Sequence, residues 1–142
     1  MPINEARKRN LDNLDKMAKF EYNWNGYGAD PFSDRLIKVA KGIIDHISDK
    51  YIEYINLAPT GKNTIDIEWR YYKPNDNTNY SIIVFEIYED EIHYCIVFDN
   101  DFKNPIIGYI SRSNNYTQIN SVLEIFYNVT IEKEKVNIWA RN

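Results

Sequence analysis

Asp66 and Glu68 alternate with Ile65, Ile67 and Trp69, so both carboxylates leave one face of a strand. Glu86 falls on a later strand that can stand beside them, and Arg70 ends the row. Acids and a base gathered on a sheet are the apparatus of metal-dependent hydrolases and nucleases, although no lysine stands at the place such a site needs. The other reactive side chains are isolated. His46 is followed at i+4 by Lys50 and His93 by Val97, so neither has a second zinc ligand at i+4. Cys95, between Tyr94 and Ile96, reads as a small apolar residue. A pairing with His93 on the same strand face lacks an orienting group or an oxyanion loop. Asp99-Asn100-Asp101 offers oxygens, but without the glycine and distal glutamate of a calcium loop it reads as a turn. These patterns point to no catalytic residue, no cofactor and no metal.

Helical and strand periodicities supply the frame. Leu11, Leu14, Met17 and Ala18 predict an amphipathic helix over 4–20. Ser33 followed by Asp34 is a helix start, and Leu36, Val39, Ala40, Ile43, Ile44 and Ile47 carry a second helix over 33–49. The period then changes to two. A first strand is expected near Ile52–Asn56, a second over Thr64–Tyr72, and a hairpin of Tyr80–Tyr88 with Ile92–Phe98 around Glu89-Asp90-Glu91. Pro105–Ile110 reads as an edge strand, and Ile119, Val122, Leu123, Ile125 and Phe126 predict a third helix over 116–128. The tail from Val129 reads equally as a strand or a docked extension. The fold expected is α+β, one domain over 1–142: two N-terminal helices on an antiparallel sheet of four or five strands, with a further C-terminal helix. Both hairpin strands are apolar on both faces, so the face away from the helices should be covered by the C-terminal elements or by another molecule.

Between the first two helices lies Trp24-Asn25-Gly26-Tyr27-Gly28-Ala29-Asp30-Pro31. Gly26 and Gly28 permit positive φ, Pro31 stiffens the entry to the second helix, and Trp24 and Tyr27 bring large apolar area. The stretch reads as a structural joint that wedges an indole between helices and sheet. As a phosphate cradle it lacks the third glycine and the Lys-Ser/Thr pair. This loop, with Ala58-Pro59-Thr60-Gly61 ahead of Ile65-x-Ile67-Glu68-Trp69 and then Phe85-Glu86-Ile87, resembles a widespread set of small bacterial and phage proteins. That set shares the patterns W-[DN]-x-[YE]-G-A-x-P and P-T-x-x-G-x-[IL]-x-[LI]-E-W. The resemblance covers about residues 20–95 and implies an α+β fold; Asp90 replaces the glycine expected in the hairpin turn.

Composition narrows the class of function. The 142 residues carry a net charge of −4, against the basic face that general nucleic-acid binding requires. Arg7, Lys8 and Arg9 make the N-terminal end mildly positive and are the one direct route to RNA. Asp66, Glu68, Glu86, Glu89, Asp90 and Glu91 make the middle strongly acidic, a surface that steers toward a basic partner. A single cysteine and no apolar leader after the first residues point to a reducing cytoplasm. An excess of Ile, Asn, Lys and Tyr fits a low-GC bacterium or its mobile elements. The expectation is a non-enzymatic binding protein or inhibitor that uses an acidic and apolar surface on a basic protein or ribonucleoprotein. By profile alone it resembles an anti-CRISPR inhibitor of an RNA-guided effector. The alternatives are an antitoxin or immunity protein, and a metal-dependent hydrolase using Asp66, Glu68 and Glu86.

Overall fold

The computed structural model describes residues 2–111 and 115–135. The chain enters as helix α1 (Ile3–Met17) and passes the glycine-containing loop to α2 (Asp34–His46). Ser33 caps α2 as expected, its hydroxyl accepting from the Leu36 amide at 3.1 Å. The first expected strand is corrected: Ile52–Tyr54 is a single 3-10 turn, and strand β1 (Asn56–Pro59) starts after it. Ile52 and Ile55, three apart, are both fully buried, and a strand's period of two would have turned one of them to solvent.

Strands β2 (Ile65–Lys73), β3 (Asp76–Ile87), β4 (Glu91–Val97) and β5 (Ile106–Ser111) follow as an antiparallel meander, so the sheet order is β1-β2-β3-β4-β5. Helix α3 (Asn115–Tyr127) continues into a π-helical turn (Asn128–Glu132), and the chain stays helical to 135. The undecided tail is therefore helical as far as it is described; 136–142 lie outside the described residues. The α+β architecture matches the expectation, with β5 at the edge where Pro105 placed it.

Register shows which side chains share a face. Ile65, Ile67 and Trp69 stand opposite Ile87, Phe85 and Ile83, and those continue to Ile92, Tyr94 and Ile96 on β4. All three helices cover this face. Leu14 and Met17 of α1, Leu36, Ile43 and Ile44 of α2, and Ile119, Leu123 and Phe126 of α3 join these residues in one core. Trp69 is at its centre, 2% exposed, stacked on Tyr54 at 4.8 Å and meeting Phe126 edge-on at 4.8 Å. Among the described residues no helix is long and apolar enough to cross a membrane.

Candidate functional site

The second face of the sheet carries no helix among the described residues. Asp66 stands opposite Glu86, which stands opposite His93, which stands opposite Tyr109. The next row is Glu68, Val84, Cys95 and Ile107, and the one beyond it Arg70, Ile82 and Val97. Of the two covers expected for this face, helix α3 is not one. The C-terminal helix joined α1 and α2 on the other side, because Phe126 fills the space beside Trp69 and stacks with Phe98. The open face is touched at one corner by the loop after β4, where Phe102 meets the Tyr80 ring at 5.9 Å. Its apolar side chains partly shelter one another, except at β5, where Ile107 and Tyr109 are 73% and 75% exposed.

The acidic end of this face has a definite electrostatic order. Asp66 is half-buried, and its Oδ1 atom is shielded from water without a hydrogen-bond partner. Burial, then the charges of Glu86 and Glu68, push its carboxyl up to about 6; Lys62 opposes them weakly. Glu86 is held from two sides. The Tyr88 hydroxyl donates to its Oε1 at 2.5 Å, and the Thr64 hydroxyl approaches its Oε2 at 3.4 Å. The bond to Glu86, with burial and the negative surroundings, pushes the Tyr88 phenol up to about 12, so it stays a donor. Glu68 lies two residues along β2 from Asp66, roughly 7 Å at strand rise. Among the described residues no three His, Cys, Asp or Glu side chains come together as a metal-binding group.

The six acids expected to bind a partner do not form one surface. Asp66, Glu68 and Glu86 share the open face. Glu89 and Asp90 sit in the β3–β4 turn and are tied to the start of α2, where the Ser33 hydroxyl donates to Glu89 and Arg35 pairs with Asp90 at 2.5 Å. Negative charge there answers the positive helix end, which is a structural use. Glu91 pairs with His93 at 3.1 Å. The apolar character of the hairpin on this face is legible from its sequence; Ile107 and Tyr109 are not, because a short strand after Pro105 reads only as an edge.

The basic N-terminal residues are likewise committed. Arg7 donates to the Ile44 and Ile47 carbonyls at 2.5 and 3.0 Å and pairs with Asp49 at 2.7 Å, closing the C-terminus of α2. Arg9 donates to the Ile55 carbonyl at 3.1 Å, and Lys8 pairs with Asp12 at 2.6 Å.

The expected joint divides in two. Trp24 lies between Phe20 and Phe32, at 5.0 and 5.5 Å, with its indole N–H donating to the Asp30 carbonyl at 2.9 Å. Gly26 and Gly28 take φ of +78° and +81°. Tyr27 is corrected: it is 92% exposed at the loop tip and buries no area in the joint. Pro31 is also exposed and acts only through its fixed φ. Asn25 Oδ1 accepts from the Tyr27 and Ala29 amides and Asn23 Oδ1 from Gly28, so backbone satisfaction, and not burial of Tyr27, holds the tip.

Comparison with protein-family models, with curated proteins and with solved structures found no match. The likeness over residues 20–95 therefore rests on its two sequence patterns alone.

Proposed function

We propose that this chain is a non-enzymatic binding protein that works through the open face of its sheet, and that its partner is a basic protein or ribonucleoprotein. The observation that supports this is one sheet face carrying all three helices while the other combines the Asp66, Glu68 and Glu86 carboxylates with Ile82, Val84, Ile107 and Tyr109. An apolar patch with carboxylates clustered at one end and Arg70 at the other has the anatomy of an interface: the apolar part supplies contact area and the charge selects the partner. Inhibition follows if the partner's basic groove is itself a working surface, as in an RNA-guided effector, whose nucleic-acid channel is positively charged. An antitoxin masking a basic toxin would use the same chemistry.

The test compares the wild-type chain with the triple variant Asp66→Asn, Glu68→Gln, Glu86→Gln as baits in a lysate of a low-GC bacterium. A basic protein or ribonucleoprotein held by the wild type and lost by the folded variant is the expected result. Equal capture by both would remove this face from consideration.

A further inference from the structure

The two edges of the sheet are finished differently. Strand β1 is four residues long and ends in Pro59, which donates nothing to a neighbour. Helix α1 anchors the residue just before it, Arg9 and Asn10 donating to the Ile55 carbonyl, whereas α3 packs against β5 without such a tie to the residue before that strand among the described residues. Strand β5 has β4 on one side and no strand on the other among the described residues. Its run Ile106-Ile107-Gly108-Tyr109-Ile110 contains no charge and no proline, the two common guards of a free edge.

Exposure on β5 is not confined to one face. Ile107 and Tyr109 project to the open face, while Ile106, opposite Ile96, belongs to the helix-covered side and is still 48% exposed. A partner lying flat on the open face would cover the first two and leave Ile106 in water. A strand added beside β5 shields all three.

We infer that β5 pairs with the β5 of a second copy of this chain, antiparallel and centred on Gly108. That register sets Ile106 opposite Ile110 and Ile107 opposite Tyr109, with Gly108 opposite its own counterpart. Each cross-strand pair is apolar, the Ile–Tyr pairs match a β-branched side chain with an aromatic one, and no like charges meet. A foreign basic strand would find no acid along this run, whereas the chain's own strand is its complement. The contact is isologous. It extends the meander into one ten-stranded sheet, with the axis perpendicular to it, so both acidic rows point the same way. One strand pairing buries well under the about 800 Å² per partner of a standard interface, so the dimer is weak and concentration-dependent.

Sedimentation velocity of the full chain from about 5 µM to about 1 mM tests this. The wild type is expected to shift from monomer to dimer, Ile107→Lys and Tyr109→Lys to stay monomeric with unchanged circular dichroism, and amide exchange at 106–110 to slow as wild-type concentration rises. A wild-type monomer throughout the range overturns the inference, as does a dimer that both lysine variants leave intact. A monomer whose β5 amides are already protected at low concentration overturns it too, in favour of cover from within the chain. No partner enters these measurements, so their failure is separate from failure of the proposed binding face.

Discussion

Asp66 and Glu86 face each other directly across β2 and β3, two carboxylates at adjacent ladder positions on the open side of the sheet. A like-charged cross-strand pair is unfavourable unless one partner keeps its proton. Asp66 is the one whose carboxyl is pushed up, to about 6, because its Oδ1 is shielded and unpartnered beside Glu86, which already accepts from Tyr88 and Thr64.

A pH dependence of stability follows. With the folded carboxyl of Asp66 at about 6 and the unfolded one near the ordinary 3.8, the native state holds the extra proton between those values. The associated stability is complete below about 4 and is lost as pH rises through about 6. Asp66→Asn should therefore stabilise the protein at pH 8, on the order of 1 kcal/mol after discounting for partial solvent screening, and give no gain at pH 4. Urea denaturation of both proteins at the two pH values checks it; an equal effect at both would be the wrong answer.

Binding should show the complementary trend. Each Asp66 ionised above pH 6 adds negative charge to the face, and a bound cation favours that form. Affinity for a basic partner is expected to rise between pH 5 and pH 8 and to lose that rise in Asp66→Asn, measured by calorimetry in buffers of differing ionisation heat.

The aromatic centre of the core sets most of the stability. Trp69→Ala removes contacts with Tyr51, Tyr54, Phe126 and Tyr127 at once. The expected loss is about 3–5 kcal/mol, a large share of an ordinary domain's stability, seen as a marked fall in the temperature of the thermal transition.

Gly108 is required by Tyr94, not by a turn. A Cβ there would lie 2.3 Å from the Tyr94 ring, which crosses β5 on the covered side. Gly108→Ala should cost about 1–2 kcal/mol, and less in a Tyr94→Ala background, where no ring needs to move. A double-mutant cycle by chemical denaturation reads the coupling.

In the 23–30 loop an aromatic and its neighbouring glycine should behave oppositely. Tyr27→Ala is expected to change stability by less than about 0.5 kcal/mol, while Gly28→Ala, at φ +81°, should cost about 1 kcal/mol or more. Differential scanning calorimetry on the two variants distinguishes a loop held by its backbone from one held by buried rings.

The periodic elements were legible in the chain itself. The 3.6-residue spacing of α2 and the strict alternation from Ile65 to Tyr71 are local properties, and Ser33 caps where its residue type says it should. The short segment at Ile52–Tyr54 was not, because apolar residues three apart over so few positions fit two periods. The placement of α3 was beyond local reading as well. Whether Phe126 packs beside Trp69 or across the far face depends on which side of the sheet offers a matching cavity, a property of the assembled layers. The acids divided for the same reason. Residue type and alternation determined that Asp66 and Glu68 leave one side of β2, and the register of β2 with β3 set Glu86 beside them. Only tertiary structure decided that no described helix covers this side, that Arg35 and Ser33 take Asp90 and Glu89 away from it, and that Arg7 closes α2, because each outcome turns on contacts between residues dozens of positions apart.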